Sequence, residues 1–120
     1  MTFTYAAAGH PGPIVGTPSS KPRRCATTGL PLGVAGREPS IDCIDLEPGT
    51  ILVLYTDGLL EVTRDPIAGE AALLVAVQSE LAAPSPDSAQ AIVQNVLDGQ
   101  SAQDDIAVLL LRISPTPLEP

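Results

Sequence analysis

The feature that most constrains this chain is an unbroken apolar run, Ile51–Tyr55, with an acidic residue just beyond its end. Its β-branched, leucine and aromatic side chains are typical of a strand buried on both faces, and the preceding Pro48-Gly49 pair predicts a turn. Asp57 precedes Gly58, which has no side-chain bulk and a wide choice of backbone conformations. The pattern therefore predicts an acid at the exposed C-terminal end of a buried strand.

The reverse arrangement occurs near the end of the sequence, where Asp104 and Asp105 directly precede the apolar run Ile106–Leu111. If the two runs are neighbouring antiparallel strands, Asp57 ends one strand and Asp104 begins the next, so both carboxylates lie at one rim of the sheet. Two carboxylates at one rim suit a divalent cation, because hard cations prefer oxygen ligands. Taken singly, Asp57-Gly58 is more typical of a hairpin turn. Asp104-Asp105, taken singly, is more typical of the solvated start of a strand.

Length and charge exclude several classes of protein. The chain has 120 residues, enough for one domain, and a formal net charge of −8. Six Lys and Arg residues against 14 Asp and Glu residues argue against a nucleic-acid or anionic-membrane surface. No apolar stretch approaches the ~20 residues that span a bilayer, and the N-terminus lacks the basic flank of a signal peptide. We therefore predict a cytoplasmic protein with no nucleic-acid and no membrane partner.

The remaining strands are predicted from alternation of apolar and polar residues. They lie at Thr2–Ala8, Ile14-Val15 and Ser40–Leu46, and the first two are predicted to form a hairpin. Residues 17–36 are rich in Pro, Ser, Gly and Thr and are predicted to form a surface loop. The basic cluster in that loop, at positions 21, 23 and 24, is interpreted as a solvated face in preference to a phosphate site.

Two helices follow the central strand. The first is predicted over Gly69–Ala83, with an apolar face that covers the sheet. The second is announced by Ser85-Pro86-Asp87, in which serine can cap and proline fits the first helical position, and Gly99 supplies its left-handed stop. The order of elements predicts an α+β fold, in which an antiparallel sheet is covered by a helical pair.

The histidine and the two cysteines are not predicted to act in catalysis or in metal binding. His10, the only histidine, is interpreted as a turn residue hydrogen-bonded to backbone in preference to a catalytic or ligand role. Cys25 and Cys43 have no partner at metal-ligand spacing and are interpreted as reduced thiols without a role.

Five motifs occur in order along the chain: Tyr5–Pro13, Gly29–Gly33, Leu46–Gly49, Leu54–Glu61 and Asp104–Leu109. Their order and spacing resemble those of the metal-dependent (PPM, type 2C) serine/threonine phosphatases. Within that family, the chain resembles the bacterial subgroup named for stage II sporulation protein E.

The resemblance implies part of the α-β-β-α PPM sandwich, with two Mn²⁺ or Mg²⁺ ions at one edge of two antiparallel sheets flanked by helices. Asp57 and Asp104 match the metal-binding aspartates of the family. Glu61 stands where some relatives place an acid near a third, weaker metal, and Asp105 is expected to support the site rather than to bind metal. No catalytic side chain beyond the metal ligands is expected, because a metal-activated water would hydrolyse the phosphate ester.

The resemblance covers only the C-terminal half of the family's domain. The Gly-Asp-x-x-Asp type motif that bridges the two metals in the family does not precede Tyr5 here. We therefore expect residues 1–113 to be the C-terminal portion of a PPM-type domain and residues 114–120 to be a disordered tail. Missing strands would leave sheet edges and apolar surface uncovered, which predicts self-association or pairing with the absent half.

Two functions remain open at this point. The first is a metal-dependent hydrolase of phosphoserine and phosphothreonine, weak or inactive as the chain stands, whose substrate by resemblance is a phosphorylated anti-sigma-factor antagonist or a similar bacterial signalling protein. The alternative is a non-catalytic, truncated phosphatase module that acts through protein-protein interaction.

Overall fold

The structure, a computed structural model, describes residues 1–34, 38 and 40–114. The described elements, in chain order, are strands and helices that confirm the predicted α+β class. They are β1 (Thr2–Tyr5), β2 (Ile14–Thr17), β3 (Ser20–Arg24), β4 (Asp42–Asp45), β5 (Ile51–Tyr55), α1 (Asp57–Leu60), a 3₁₀ turn (Glu61–Thr63), α2 (Pro66–Ala82), α3 (Ser88–Leu97) and β6 (Val108–Arg112).

The strands form two antiparallel sheets. One contains β1 and β4, and the other has the order β3-β2-β5-β6. In the larger sheet Tyr55 lies opposite Val108, so the C-terminal end of β5 adjoins the start of β6. The prediction that the two apolar runs are neighbouring antiparallel strands is therefore confirmed.

Strand β5 lies between two layers. Ile51, Val53 and Tyr55 pack in the cluster formed with α2 and α3. Leu52 belongs to the other cluster, in which residues of the β1–β4 sheet such as Ile44 take part. Because successive side chains of a strand point to opposite faces, this run is apolar throughout and not alternating.

Two predictions about the first half of the chain are wrong. The first two strands do not form a hairpin, since β1 pairs with β4 while β2 pairs with β3 and β5. The segment 17–36 is not only loop, because Ser20–Arg24 forms β3. This strand is polar because it lies at the sheet edge, where charged side chains are tolerated and a proline such as Pro22 needs no ladder partner for its nitrogen.

The helix boundaries also differ from those predicted. Helix α2 begins at Pro66 because the Asp65 carboxylate accepts a hydrogen bond from the amide of Ile67 at 3.0 Å. Helix α3 is capped by Asp87, not by Ser85, and Asp98 takes the left-handed conformation before Gly99 does.

Two further predictions concern the tail and the membrane. Of the predicted tail, only Ser114 is described, and residues 115–120 lie outside the described residues. Among the helices of the described ranges, none has the length and apolarity needed to cross a bilayer.

Glu80 fixes the connection between α2 and α3 from inside the fold. The residue is 3% exposed, and its carboxylate accepts hydrogen bonds from the amide of Ser85 at 2.9 Å and from the Ser85 hydroxyl at 2.6 Å. Burial raises the pKa of Glu80, but the hydrogen bonds from Ser85 and Ser88 and the charge of Arg112 outweigh it, so that the pKa lies below its ordinary value. The ionised carboxylate therefore stabilises the fold above the ordinary glutamate pKa, and this contribution is lost as the pH falls through the lowered pKa.

We expect Glu80→Gln to lower the free energy of unfolding at neutral pH by about 1–3 kcal/mol, because a buried hydrogen-bonded carboxylate is lost. The deficit should shrink as the pH falls from the ordinary glutamate pKa through the lowered pKa of Glu80, below which the wild-type carboxyl is also neutral. Urea unfolding at neutral pH and at a pH below the lowered pKa measures the difference in free energy of unfolding between the variant and the wild type. Glu70→Gln in the same helix is the matched control, because its pair with Arg24 is partly exposed and worth at most about 1 kcal/mol. A deficit for Glu80→Gln that does not change with pH would contradict this account.

Candidate functional site

The chain turns from β5 into α1 at Thr56, which has an extended backbone with φ −97° and ψ 160°. Thr56 occupies the N-cap position, yet its hydroxyl does not cap α1. Asp57 is the first residue of α1, where a negative charge is favoured by the helix dipole. The acid therefore stands at the end of the buried strand, as the sequence predicts.

The Thr56 hydroxyl instead holds the segment that precedes β6. The amide of Ala107 donates to Thr56 Oγ1 at 2.9 Å, and the amide of Thr56 donates to the carbonyl of Ala107 at 3.1 Å. The hydroxyl also lies 3.5 Å from the carbonyl oxygen of Asp105. These contacts extend the β5–β6 pairing beyond its last strand residues and fix the position of the Asp104–Asp105 segment.

Gly58 brings the two acid-bearing segments into direct contact. A methyl group at this position would collide with the carbonyl oxygen of Asp105 and would lie 3.5 Å from the carbonyl carbon of Asp104. Only a residue without a side chain allows this approach. Asp57 and Asp104 therefore lie at the same end of the β5–β6 ladder, as predicted, while their role as metal ligands stays a prediction.

His10 lies beside the first of these acids. Its Nε2 is 3.9 Å from Asp57 Oδ1, and both side chains are about half exposed or more. Its Nδ1 donates to the carbonyl of Pro11 at 2.8 Å, which confirms the predicted hydrogen bond to backbone. The proximity of His10 to Asp57 is not evident from the pattern of the sequence. It follows from the antiparallel pairing of β2 with β5, since a residue just before β2 must lie near the end of β5.

Tyr55 fixes the loop that carries His10. Its buried hydroxyl donates to the carbonyl of Gly12 at 3.2 Å, and its ring lies 6.0 Å from the His10 ring. Burial raises the pKa of Tyr55 to about 12, against the opposing charge of Arg24. The phenol therefore keeps its proton at neutral pH and remains a hydrogen-bond donor to the loop.

The other predicted acids lie nearby in the chain. Glu61 is four residues beyond Asp57 along continuous helical backbone, so the two share one face. The amide of Asp105 donates to Asp104 Oδ1 at 2.7 Å, which orients that carboxylate. The four candidate acids are all exposed to solvent: Asp57, Glu61, Asp104 and Asp105.

The donor set suits a hard cation only in part. Within the part of the chain that the structure describes, no group of three or more His, Cys, Asp or Glu side chains could hold a metal ion. Mg²⁺, however, keeps several waters and is commonly bound through one or two carboxylates. Asp57 and Asp104 therefore fit such an ion if further ligands come from another source.

A cavity of about 290 Å³ adjoins this end of β5. Tyr55 and His10 line it together with residues of β1, the alanines at positions 6–8 and two prolines. The lining is mainly apolar, so the cavity offers surface for an apolar group and no set of ligands for a cation.

We expect Thr56→Val to loosen the Asp104–Asp105 segment, because valine has the same shape but cannot accept the hydrogen bond from Ala107. The free energy that protects the Ala107 amide from opening should fall by about 1 kcal/mol, which is measured as faster hydrogen exchange of that amide. Thr56→Ser keeps the hydroxyl and should exchange like the wild type. Equal exchange rates in the valine and serine variants would show that the hydroxyl does not hold the segment.

The chain matches known proteins over nearly its whole length. A model of the family described as stage II sporulation protein E (SpoIIE) matches residues 1–114. The chain is similar to the crystal structure of the RsbU and RsbW domains of Rv1364c from Mycobacterium tuberculosis. The sequences are 30% identical, the match covers 97% of this chain, and the TM-score is 0.80. The phosphatase domain of the cell fate determinant SpoIIE from Bacillus subtilis is 16% identical over 98% of this chain, with a TM-score of 0.64, a likeness of fold alone.

The matched structures are larger than this chain. It spans 34% of the length of the Mycobacterium tuberculosis chain and 52% of the Bacillus subtilis chain. No curated protein matches it.

Proposed function

Because the chain belongs to the stage II sporulation protein E (SpoIIE) family of PPM-type phosphatases, we propose that it contributes Asp57 and Asp104 to a site for Mn²⁺ or Mg²⁺. The site would hydrolyse phosphoserine or phosphothreonine in a protein. The observation that supports this proposal is the contact between two acid-bearing segments, Asp57-Gly58 and Asp104-Asp105, at one end of the β5–β6 ladder. Family membership itself confirms the resemblance that the five motifs predict.

In this proposal the carboxylates of Asp57 and Asp104 bind cations, and the amide of Asp105 keeps Asp104 Oδ1 oriented. Two ions held there would lower the pKa of a water and would neutralise the phosphoryl oxygens. In the proposed reaction a bond would form between a water oxygen and phosphorus while the bond from phosphorus to the serine or threonine oxygen breaks, and a proton lost by the water would pass to that oxygen, so that the alcohol and phosphate are released. Glu61, on the same helical face as Asp57, is proposed to lie near a further, weaker metal.

The proposal assigns residues 1–113 to the C-terminal portion of a PPM-type domain. Its support is that the chain spans 34% and 52% of the two matched structures and offers fewer than three clustered metal ligands in its described ranges. The remaining ligands would come from the other portion of such a domain. The chain alone is therefore expected to hydrolyse phosphate esters weakly or not at all.

The substrate in this proposal is a phosphorylated bacterial signalling protein, such as an anti-sigma-factor antagonist. Support comes from the likeness to a Mycobacterium tuberculosis protein that contains RsbU and RsbW domains. Manganese has indirect support, because the matched Bacillus subtilis crystals were presoaked with Mn. A cytoplasmic location remains a prediction from the sequence.

A non-catalytic module is the second candidate. The observation that favours it is again the incomplete donor set, since two or three acids without further ligands hold a cation weakly. Such a module would bind a partner protein and hydrolyse nothing.

We expect Asp57→Asn and Asp104→Asn each to weaken Mn²⁺ binding by at least roughly tenfold, because a neutral amide is a much poorer ligand for a hard cation than a carboxylate. Isothermal titration calorimetry with Mn²⁺ measures the affinity, and hydrolysis of p-nitrophenyl phosphate with and without Mn²⁺ measures turnover. Asp45→Asn in β4, an exposed acid of the other sheet, is the matched control for the loss of one charge.

The possible results separate the two candidates. Mn²⁺ binding that depends on both aspartates supports the metal site, and Mn²⁺-dependent turnover lost in both variants supports the hydrolase. Mn²⁺ binding by the wild type that is unchanged in all three variants would contradict the site and leave the interaction module.

A further inference from the structure

The imidazole ring of His10 has one nitrogen engaged by the backbone. Its Nδ1 donates a hydrogen bond to the carbonyl of Pro11 at 2.8 Å. A carbonyl oxygen can only accept a hydrogen bond, so Nδ1 carries the proton, and in the neutral ring Nε2 keeps its lone pair. A histidine that binds a metal through one ring nitrogen commonly donates the other N–H to a backbone carbonyl in this way. The ring of His10 is therefore in the tautomer that can bind a metal through Nε2.

The other nitrogen, Nε2, lies near a carboxylate at a distance that a hydrogen bond does not explain. It is 3.9 Å from Asp57 Oδ1, whereas a charged ring would donate to a carboxylate at about 2.7–2.9 Å. A lone pair and a carboxylate oxygen repel each other unless a cation lies between them. Metal bonds to imidazole nitrogen and to carboxylate oxygen are about 2.0–2.2 Å long, so two ligands of one ion can be up to about 4.3 Å apart. The observed separation lies within that span.

The loop that carries His10 is fixed relative to Asp57. The Thr27 hydroxyl donates to the carbonyl of His10 at 3.0 Å. The buried Tyr55 hydroxyl donates to the carbonyl of Gly12 at 3.2 Å. Because Tyr55 is the last residue of β5 and stands two positions before Asp57, this bond ties the loop to the strand that presents the acid. The nitrogen and the carboxylate oxygen are thus held at their separation by backbone and tyrosine contacts.

Both side chains also leave room for further ligands. The side chains of His10 and Asp57 are 45% and 65% exposed. Asp104 belongs to the segment that contacts Gly58 at the same rim. An ion held between the nitrogen and the oxygen would therefore keep positions open to water, to phosphate oxygens and to other carboxylates.

We propose, on the basis of the proposed function, that His10 Nε2 is a ligand of the divalent ion that Asp57 binds. This ion then has a mixed nitrogen and oxygen ligand set. Mg²⁺ takes oxygen ligands, whereas imidazole is a ligand for first-row transition-metal ions. His10 therefore makes this position of the site select a transition-metal ion, Mn²⁺ among them, over Mg²⁺.

Electron spin-echo envelope modulation of the untagged chain loaded with Mn²⁺ tests the ligand directly. His10 is the only histidine in the sequence, so modulation from a coordinated imidazole nitrogen has a single source. We expect this modulation in the wild type, a changed frequency when histidine is labelled with ¹⁵N, and its loss in His10→Asn. Mn²⁺ bound without nitrogen modulation would overturn the inference, and so would a wild type that binds no Mn²⁺ at millimolar concentration.

The variant His10→Asn is chosen to spare the loop. Its side-chain amide can still donate to the carbonyl of Pro11 from the place of Nδ1, while Nε2 is removed. We expect it to raise the Kd for Mn²⁺ by at least roughly tenfold and the Kd for Mg²⁺ by less than about twofold. Asp57→Asn is the matched comparison and should raise both values. The EPR signal of free Mn²⁺ gives the first Kd, and displacement of Mn²⁺ by Mg²⁺ gives the second. Equal losses for both ions in His10→Asn would contradict a nitrogen ligand.

The metal-free chain gives a second test. Long-range ¹H–¹⁵N NMR at mildly alkaline pH, where imidazole is neutral, reports which ring nitrogen of His10 carries the proton. We expect the proton on Nδ1, as its bond to Pro11 requires. A ring protonated mainly at Nε2 would overturn the inference whether or not Mn²⁺ binds.

Failure of this inference and failure of the proposed function give different results. Mn²⁺ binding that depends on Asp57 and Asp104 but shows no nitrogen modulation overturns the inference and leaves the proposed function standing. Nitrogen modulation that is lost in His10→Asn and Asp57→Asn but unchanged in Asp104→Asn supports the ligand pair and contradicts the shared site of the proposed function. Neither result depends on hydrolysis of a phosphate ester.

Discussion

The burial of β5 on both faces is the constraint on which the rest of the structure depends. Alternate side chains of the strand enter two different clusters, one with α2 and α3 and one with the β1–β4 sheet. Ile51, Leu52 and Val53 are fully inaccessible to solvent. At about 25 cal/mol per Å² of apolar surface, burying such side chains contributes about 1.5–3 kcal/mol each. A polar residue at any position of this run would therefore be buried in one layer or the other, so the first polar positions lie beyond the ends of the strand.

This constraint explains where the acids lie. Because β6 runs antiparallel to β5, the end of one strand and the start of the other share a rim, and residues distant in sequence meet there. The Asp57-Gly58 and Asp104-Asp105 segments approach closely because Gly58 has no side chain. The Thr56 hydroxyl also accepts a hydrogen bond from the amide of Ala107, which extends the pairing of β5 with β6. Tyr55 adds the loop with His10 to the same rim through its bond to Gly12. The candidate site is thus a product of strand pairing, which is why its residues come from separate motifs.

The sequence predicted the parts of the fold that depend on local patterning. The run Ile51–Tyr55, the two helices and the shared rim of Asp57 and Asp104 all follow from periodicity and turn residues. Strand pairing between distant segments was not predictable in the same way, so β1 was assigned to β2 and not to β4. Strand β3 was missed because an edge strand such as Ser20–Arg24 needs no apolar pattern. The hydroxyl of Thr56 and the neighbourhood of His10 were missed because both depend on which strands pair.

The connection between Thr56 and Ala107 joins residues 51 positions apart in the sequence. Ordering such a long loop carries an entropy cost before the pairing returns any free energy, and contacts of large sequence separation form slowly. Helices α2 and α3 lie within that loop and are stabilised by contacts between near neighbours, so they shorten the effective distance before β6 docks on β5. We therefore expect the acidic rim to become ordered only after the segment between the two strands has folded.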